Sequence, residues 1–529
     1  MVDENRSGTG SPDGRRERFL SNVFWNWTGV VVSLIGGVVL TPYIIRKLGA
    51  DGYGVWSLVF SLIGYYGLLD FGFRSAVVRF SAHYRAQDNS EKLNELVNTL
   101  LFYFSAASVL LLVVTVFLAR YADRLFQIPV ALRGQFSWLV LLVGINLATG
   151  VTFNVFTGCV EGFQRFDLVN KIRVLTYSTQ AAGCFVVLSL GYGLVAMGAV
   201  ALGAQALLCL LYFVNFRRIF PALRFAPGLV TRSMFAETAG YGGHTFVASL
   251  ATQSLEQTPS LIIGHHFTAA FVGYYNLPYR LLQYAADGVS RVGLVVAPRA
   301  AELAATGQID KVRVLGIYAN RYCFALYTPL AITLLFYGRE LFRVWVGADY
   351  GNHSAPLLPV ILIAAWFTLA GQFSSSTILF GLGKHRGYAW GLVAEAVCNL
   401  AAMIIVVPRY GILGAAVSAT CLTVAIRGVY TPWLLCRVFG CRLPEYLGSI
   451  FVRPLLTAVP VMALAYASKR WLWAGNNWAE LLASAVLVGG LYLGTACFTC
   501  LEGEHRRVLA GPALRLWSRW RSRVGDYHS

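Results

Sequence analysis

Long apolar segments recur along the whole of this 529-residue chain and constrain its fold more than any other feature. A helix needs about 20 apolar residues to cross the hydrocarbon core of a bilayer, and windows of that length identify about 14 candidate spans. The spans lie at 22–44, 54–73, 96–119, 135–157, 174–191, 194–214, 238–263, 272–297, 315–337, 356–380, 387–407, 413–435, 453–470 and 479–500. The sequence therefore predicts an all-α, polytopic membrane protein.

The composition agrees with this class and excludes several others. Hydrophobic residues make up 57% of the chain and charged residues 13%, whereas soluble domains carry about 25% charged residues. A soluble enzyme, a disordered chain and a nucleic-acid-binding protein are excluded on this ground. The connections between spans are shorter than about two dozen residues, and a folded domain needs about 50 or more. We therefore expect no nucleotide-hydrolysing domain and a function that is carried out within the lipid bilayer.

The basic residues predict the orientation of the spans. If the N-terminus is cytoplasmic, the inner segments hold 29 Lys or Arg residues and the outer segments hold 10. This excess satisfies the positive-inside rule. We therefore expect both termini in the cytoplasm, with a polar segment at 1–18 and a basic tail at 501–529. The tail is either an interfacial helix, with Trp517 and Trp520 on one face, or a disordered basic segment.

Glycine-containing motifs recur at one offset and indicate an internal repeat. Gly54 and Gly162 recur 219 residues later as Gly273 and Gly381. The offset contains six spans, an even number, so the two halves would share one orientation in the membrane.

This repeat predicts the organisation of the chain. We expect two six-helix lobes, at 19–220 and 236–436, related by a parallel pseudo-two-fold axis along the membrane normal. An extra helix pair at 453–500 lies outside the repeat. Two lobes that face each other across a central cavity are typical of transporters that work by alternating access.

Motifs in the first third of the chain resemble those of a known family. They are Thr41-Pro42, Leu48-Gly49-Ala50-Asp51-Gly52-Tyr53-Gly54-Val55-Trp56-Ser57, Leu69-Asp70-Phe71-Gly72-Phe73 and Gly162-Phe163-Gln164-Arg165-Phe166-Asp167. The stretch from Asn22 to Arg85 resembles the N-terminal signature of bacterial polysaccharide-biosynthesis flippases, the Wzx-type exporters of O-antigen and exopolysaccharide. Their superfamily also contains multidrug and toxic-compound extrusion antiporters and lipid II flippases.

The resemblance implies a transporter, not an enzyme, in the bacterial cytoplasmic membrane. Its substrate would be an undecaprenyl-diphosphate-linked oligosaccharide that moves from the inner to the outer leaflet. A gradient of H+ or Na+ would drive the cycle, with no other cofactor. A polysaccharide polymerase and a chain-length regulator are the further partners that the resemblance implies.

Charged residues in the eighth span predict the substrate site. An ionisable side chain at the centre of a membrane helix costs about 2.5–3.5 kcal/mol on insertion scales, so it needs a polar environment. The residues are Arg280, Tyr284, Asp287 and Arg291, at the i, i+4, i+7 and i+11 spacing of one helical face. The two guanidinium groups would bind the diphosphate bidentately. In the alternative interpretation, Asp287 neutralises one arginine and the other extends to the interface.

A second polar stripe lies on the seventh span. Thr245, Ser249, Thr252 and Glu256 follow one another at helical spacing. Hydroxyl groups at this spacing suit the hydroxyls of a sugar, but in membranes they also hydrogen-bond helices to one another. Both interpretations stay open at this point.

Carboxylates inside the spans are candidates for ion coupling, because such groups mark proton and ion pathways in membrane proteins. Three carboxylates qualify, and the sequence does not choose among them. They are Asp287, Glu256 and Glu395.

Other charged residues in the spans have alternative interpretations. Asp70 and Arg74, one turn apart, are expected to form a structural ion pair. Arg321 and Arg427 lie near cytoplasmic helix ends, where an arginine extends to the interface. Either arginine could instead capture the lipid diphosphate.

Two other functions are compatible with many spans. A multidrug antiporter of the same fold would bind organic cations, whereas the eighth span offers two arginines against one aspartate. A membrane polysaccharide polymerase or ligase would need a large outer loop with catalytic groups, and the longest outer connection, Gly338 to Ala355, has 18 residues. Flipping of a lipid-linked glycan is therefore the preferred function.

Overall fold

The computed structural model describes the backbone of residues 12–64, 73–370, 372–384, 386–472 and 477–507, and the side chains of these residues except 12–35, 63, 73, 240–248, 287–295 and 369–370. This part of the chain is almost entirely helical. Its β-structure is limited to an isolated bridge between Gln127 and Thr268. The predicted all-α class is confirmed.

Sixteen α-helices form within the described residues. They are α1 (Pro12–Gly64), α2 (Phe73–Ala86), α3 (Ser90–Leu125), α4 (Arg133–Gly162), α5 (Phe166–Ser189), α6 (Leu194–Ile219), α7 (Arg232–His266), α8 (Ala269–Ala305), α9 (Ile309–Trp345), α10 (Ala348–His353), α11 (Leu358–Ala364), α12 (Phe373–Gly381), α13 (Arg386–Thr423), α14 (Thr431–Phe439), α15 (Leu443–Trp471) and α16 (Trp478–Thr499). Two short π-helical segments, called π-turns below, follow α11 and α13. They are Ala365–Ala370 and Val424–Tyr430.

The chain divides into two compact units. The first comprises Met1–Asn276 and Leu400–Ile412, and the second comprises Leu277–Asn399 and Leu413–Ser529. These units differ in their bounds from the two lobes that the repeat predicts. The lobe boundaries remain a prediction.

Each unit has its own aromatic core. In the first unit, the ring of Phe216 lies 5.8 Å from the rings of both Phe156 and Phe163. In the second unit, Phe324 stacks on Trp366 with ring centroids 5.4 Å apart. Aromatic pairs at such distances add to the packing between helices, so α4 and α6 are joined in one unit, and α9 and the first π-turn in the other.

Two long helices are broken at glycines, and both breaks fall between predicted spans. Gly49 in α1 has a φ of 74°, and Gly411 in α13 has a φ of 62°. Only glycine adopts such left-handed values without steric cost. The breaks separate the first predicted span from the second and the eleventh from the twelfth, as the apolar pattern requires.

The segment predicted as the longest outer connection, residues 338–355, is largely helical. α9 continues past the predicted end of its span at 337, and α10 follows after two residues. Phe342, Trp345 and Tyr350 are all buried in this segment. Their apolar side chains favour helical extension over an irregular loop, so the end of α9 and α10 occupy most of this predicted connection.

Seven helical stretches among the described residues are long and apolar enough to cross a membrane. One of them, Arg386–Phe439, has 54 residues, more than twice the roughly 20 that one span requires, and it contains the break at Gly411. The multi-pass membrane class is thereby confirmed. The total of 14 spans and the pseudo-two-fold axis remain predictions.

Turns at corresponding places support the internal repeat. Asp88 in the α2–α3 turn has a φ of 50°, and Gly307 in the α8–α9 turn has a φ of 72°, at an offset of 219 residues. Gln164 after α4 has a φ of 57°, and Gly383 after α12 has a φ of 68°, again at an offset of 219. The backbone hydrogen bonds that close these turns recur at the same offset. The backbone is thus duplicated even where the residue type is not.

The glycines that first indicated the repeat lie at repeated helix contacts. A Cβ at Gly162 would lie 2.6 Å from the carbonyl oxygen of Val78 in α2, and a Cβ at Gly381 would lie 2.9 Å from that of Ala297 in α8. Val78 and Ala297 are themselves 219 residues apart. Small residues let membrane helices approach closely, so the same close packing occurs once in each unit.

Gly54 occupies a position without room for a side chain. A Cβ there would overlap the carbonyl group of Ala269 and lie 2.8 Å from the amide nitrogen of Ala270. Asp51 lies one turn before Gly54, and its Oδ1 accepts a hydrogen bond from that same amide at 3.3 Å. The start of α8 is thereby held against α1.

We expect Gly54→Ala to lower the melting temperature of the detergent-solubilised protein, because the backbone of α8 must shift. Overpacking of this kind costs about 1–3 kcal/mol. Gly203→Ala in α6 is the matched control, since a Cβ at Gly203 meets no atom within 4 Å. Equal melting temperatures for the two variants would contradict the close contact at Gly54.

Candidate functional site

The predicted stripe on the eighth span lies on an unbroken helix. α8 is helical from Ala269 to Ala305, so positions 280, 284, 287 and 291 share one face. The side chain of Arg280 is exposed and that of Tyr284 is partly buried. The side chains of Asp287 and Arg291 lie outside the described residues. Arg280 forms no ion pair with any side chain that the structure describes.

The stripe predicted on the seventh span is carried by α7 in the first unit. Ser249 and Glu256 are exposed and Thr252 is partly buried, while the side chain of Thr245 lies outside the described residues. The next residue, Gln257, packs against α1, because a Cβ at Gly64 would lie 2.8 Å from Gln257 Nε2. The face of α7 beside this contact therefore carries exposed polar groups, which keeps both interpretations of the stripe open.

Glu395 forms a buried ion pair in the second unit. Its side chain is 1% exposed, and its Oε2 accepts a hydrogen bond from Arg427 Nε at 2.9 Å. Its Oε1 accepts a hydrogen bond from Thr423 Oγ1, also at 2.9 Å. Both carboxylate oxygens are thus satisfied. The sequence identified Glu395 and Arg427 separately, and the structure brings them together.

Small residues on α13 allow this pairing. Gly387 and Gly391 precede Glu395 by two turns and one turn on the same helical face. A Cβ at Gly391 would lie 2.8 Å from Cε1 of Tyr430, and the Tyr430 hydroxyl donates to the Gly387 carbonyl at 3.3 Å. The π-turn that contains Arg427 and Tyr430 therefore packs directly on α13, which brings the guanidinium to the carboxylate.

Among the buried polar atoms of the same unit that have no hydrogen-bond partner in the described part of the chain, two follow groups already described. They are Oδ1 of Asn399, one turn after Glu395, and Nε2 of Gln372, just after the first π-turn. The two π-turns pack together, since a Cβ at Gly428 would lie 3.4 Å from Cγ2 of Thr368. Buried polar atoms without partners are uncommon, and π-turns are frequent at functional sites. This region is a candidate site for an ion or a water molecule.

A metal centre built from several strong ligands is not found in the part of the chain that the structure describes. No group of three His, Cys, Asp or Glu side chains there could hold a metal ion. An ion at the π-turns would therefore have to be bound mainly by hydroxyl, amide and backbone oxygens, the ligands that hard cations accept.

Arg321 is buried and paired with a carboxylate. Its Nη1 donates to Glu502 Oε1 at 3.1 Å and its Nε donates to the Ser449 carbonyl at 2.8 Å. Arg453 Nη1 donates to the same Glu502 oxygen at 2.9 Å. Burial alone would raise the pKa of Glu502, but the hydrogen bonds from Arg321 and Arg453 outweigh it and hold the pKa below its usual value. Arg321 thus anchors the segment after α16, and its position at the membrane interface remains a prediction.

Arg74 is paired, but its described partner is a carboxylate that the sequence did not indicate. Nε and Nη2 of Arg74 donate to the two carboxylate oxygens of Glu161 at 3.2 and 2.5 Å. Arg173 lies 3.8 Å from the same carboxylate. The predicted partner, Asp70, lies outside the described residues. Glu161 directly precedes Gly162, which recurs in the repeat. That neighbouring repeated glycine is the sequence signal that could have indicated Glu161.

The arginines that the sequence places within spans therefore separate into two kinds. Arg321 and Arg427 are bound to carboxylates. Arg280 is exposed and has no carboxylate partner among the described side chains. A guanidinium group has five N–H donors, so Arg280 is the best-placed described arginine for an anionic ligand.

A multi-pass, duplicated helical chain with exposed polar stripes on its spans is a membrane transporter. The profile of the family described as polysaccharide biosynthesis protein matches residues 19–304, more than half of the 529 residues. The chain belongs to this family, and the resemblance drawn from its N-terminal motifs is confirmed.

Relatives with curated names are similar over most of their length. The "Putative O-antigen transporter" of Shigella flexneri is 23% identical over 428 residues, which cover 79% of this chain and 98% of the relative. The "Probable low-salt glycan biosynthesis flippase Agl15" of Haloferax volcanii is 23% identical over 420 residues, which cover 78% of this chain and 80% of the relative. Both names describe transport, not catalysis.

Solved structures share the fold. A lipid II flippase, MurJ, in an inward closed conformation superimposes with a TM-score of 0.70 at 12% identity, covering 90% of this chain and 98% of its own. An inward-facing multidrug resistance transporter of the MATE family superimposes with a TM-score of 0.65 at 13% identity, covering 79% and 96%. At such identities the likeness establishes the fold and leaves the substrate undefined.

We expect Arg427→Met to lower the melting temperature markedly, because it leaves the buried Glu395 carboxylate without its cation. Removal of one partner of a buried pair costs about 3–5 kcal/mol. The double variant Arg427→Met with Glu395→Gln should regain part of this loss, because no unpaired charge remains.

Arg299→Met is the control for this thermal unfolding series. Its partner Glu302 is 65% exposed, and exposed pairs contribute about 0–1 kcal/mol. A double variant that melts no higher than Arg427→Met alone would show that the unpaired charge is not the cause of the loss.

Proposed function

We propose that this chain moves a lipid-linked oligosaccharide from the inner to the outer leaflet of the bacterial cytoplasmic membrane. Membership of the polysaccharide biosynthesis protein family supports the proposal, as do the relatives named as an O-antigen transporter and a glycan flippase. The observation that carries it is the exposed guanidinium of Arg280 on a helix of this membrane protein. The diphosphate that joins a glycan to a polyprenol such as undecaprenol is the anion that such a group suits.

The geometry of α8 refines how its stripe would act. Positions 280 and 291 are about 16 Å apart along the helix axis, at about 1.5 Å of rise per residue. This distance exceeds the length of one diphosphate. We therefore assign Arg280 and Arg291 to successive positions of the headgroup along the path, with Tyr284 between them as a hydrogen-bonding group.

The polar stripe on α7 suits the glycan. Ser249 is exposed and Thr252 is partly buried, and Thr245 shares their spacing. Hydroxyl side chains both donate and accept hydrogen bonds, which matches the hydroxyls of a sugar without selecting one sugar strongly. Tolerance of different glycans would follow from this arrangement.

The two alternative functions, a multidrug antiporter and a polysaccharide polymerase or ligase, receive less support. An antiporter of organic cations would meet the positive charge of Arg280, and the likeness to a MATE transporter rests on the fold alone. A polymerase or ligase would need room for catalytic groups on the outer side. The longest predicted outer connection is instead occupied by the end of α9 and by α10.

We propose that H+ or Na+ drives the cycle through a carboxylate in the spans. Asp287 is our first candidate, because it stands between Arg280 and Arg291 on one face of α8. Its protonation would change the net charge that the diphosphate meets. Glu395 is already neutralised by Arg427, so a bound proton there would have to break an ion pair. Glu256 is exposed on α7 and is the third candidate.

The proposal also includes the orientation of the protein in the membrane and its partners. Both termini would lie in the cytoplasm, where the excess of basic residues places them. A polysaccharide polymerase and a chain-length regulator would take over the glycan on the outer side. Neither partner is needed for the flipping step itself.

We expect Arg280→Ala to reduce flipping of an undecaprenyl-diphosphate-linked trisaccharide in proteoliposomes by ten-fold or more. A hydrogen bond to a charged group contributes about 1.5–3 kcal/mol, and each 1.4 kcal/mol is about ten-fold in affinity. Arg280→Lys should retain part of the activity, because it keeps the charge and loses the planar fork. The measurement is the fraction of glycan open to a soluble lectin outside the vesicle.

Arg299→Ala is the matched control for this assay, since it removes an exposed arginine from the same helix. It should flip the trisaccharide at the wild-type rate. Wild-type flipping by Arg280→Ala would remove Arg280 from the substrate path. Absence of flipping by the wild-type protein with every lipid-linked glycan supplied would reject the proposed function.

Gradient dependence in the same vesicles identifies the coupling group. We expect an imposed H+ or Na+ gradient to stimulate flipping by the wild-type protein, and Asp287→Asn to keep the basal rate while losing the stimulation. Glu256→Gln and Glu395→Gln should both remain stimulated. Stimulation that persists in Asp287→Asn and is lost in one of the other two variants would transfer the coupling role to that residue.

A further inference from the structure

A cavity in the first unit lies apart from the polar stripes. It has a volume of about 720 Å³ and is formed by the α3–α4 connection and the α7–α8 turn. Its polar lining residues include Asp123, Arg124, Arg133 and Thr268. The volume falls within the range of about 300–1,000 Å³ that small-molecule sites occupy. In the predicted topology, both connections lie on the outer side of the membrane.

Hydrogen bonds between the two connections hold the walls of this outer cavity in place. The backbone amide of Gln127 donates to the Gly264 carbonyl at 3.0 Å, and Gln127 Nε2 donates to the His266 carbonyl at 3.1 Å. His265 Nδ1 and the carbonyl oxygen of Leu125 are 2.7 Å apart. A site whose shape exists before the ligand arrives loses less entropy on binding.

Two arginines of the outer cavity have guanidinium N–H donors that the described contacts leave unused. Neither Arg124 nor Arg133 forms an ion pair with any side chain in the described part of the chain. Arg133 Nε donates to the Ile128 carbonyl at 3.4 Å, and the Arg124 guanidinium lies 5.5 Å from the ring centroid of Tyr121. These contacts orient the two groups and leave most of their N–H donors for a ligand.

The position of these arginines is unusual for a membrane protein. Basic residues are depleted from outer connections, because they oppose the preferred orientation. The predicted outer segments hold 10 Lys or Arg residues. The segment at 120–134, which includes the end of α3 and the start of α4, contains three of them, Arg120, Arg124 and Arg133, and no other outer segment contains more than two. Two of these three arginines, Arg124 and Arg133, line the outer cavity, where an anionic ligand would meet them.

The remaining lining residues indicate a sugar instead of a bare phosphate. Asp123 lines the same cavity as Arg124 and Arg133. It would repel a phosphate group, yet it accepts hydrogen bonds from hydroxyls. Phe126 also lines the cavity, and an aromatic ring provides the apolar surface on which the C–H face of a sugar packs.

We propose that the outer cavity binds an acidic sugar of the glycan after it has crossed the membrane. Arg124 and Arg133 would bind the sugar carboxylate, the group whose planar geometry a guanidinium matches, and Asp123 would accept the sugar hydroxyls. This inference rests on the proposed function and topology for the source of the ligand. The site would hold the released glycan on the outer side and disfavour its return.

Binding of digalacturonic acid to the full-length protein in nanodiscs of neutral lipid tests this inference by calorimetry. The neutral disaccharide digalactose and inorganic phosphate are the comparison probes. We expect digalacturonic acid to bind at least ten-fold more tightly than either. The double variant Arg124→Gln with Arg133→Gln should lose this preference. The control Arg120→Gln should keep it, because Arg120 is an exposed arginine of α3 that does not line the cavity.

Each outcome has a definite meaning. Equal affinities for digalacturonic acid and digalactose, or a preference that survives in the double variant, would overturn the acidic-sugar site. Phosphate that binds as tightly as digalacturonic acid would indicate a general anion site, and this result would also overturn the acidic-sugar site. Flipping by a wild-type protein that binds no digalacturonic acid would reject only this inference, whereas selective binding without any flipping would reject the proposed function and leave the cavity as a sugar site.

Discussion

The cost of an unpaired charge in the lipid bilayer determines much of this structure. Glu395 and Arg427 neutralise each other in the second unit, and Arg321 is held by Glu502. The first pair bridges 32 residues of sequence and the second 181, so charge pairing and helix packing are established together. Against this background, Arg280 differs from these arginines, because it is exposed and has no carboxylate partner among the described side chains.

The sequence predicted those features that depend on local residue type. The helix breaks at Gly49 and Gly411 follow from the gaps between apolar windows, and the repeat follows from glycines at one offset. The helical character of 338–355 was missed, because a window of about 20 residues measures apolar density and not the extension of a helix beyond the membrane. Buried Phe342 and Tyr350 stabilise that extension.

The partners of charged side chains were beyond sequence reasoning. Arg74 pairs with Glu161, 87 residues away, and Arg321 with Glu502, 181 residues away. Such pairs depend on which helices become neighbours, and hydropathy and spacing do not report this. The polar stripe on α8 could be recognised because helical periodicity alone places its members on one face. Its members could therefore be identified from the sequence, while the carboxylate partners of Arg321 and Arg427 could not.

The two halves of the repeat share their packing and differ in their charges. Gly162 and Gly381 make the same close helix contact, and each of the turns after them has a residue with left-handed φ at the corresponding position. At the offset of 219, however, Glu395 corresponds to Thr176 and Phe380 corresponds to Glu161. Thr176 only donates to backbone carbonyls of its own helix. Duplication thus supplied a common backbone, and each half acquired its own ion pair at a different place.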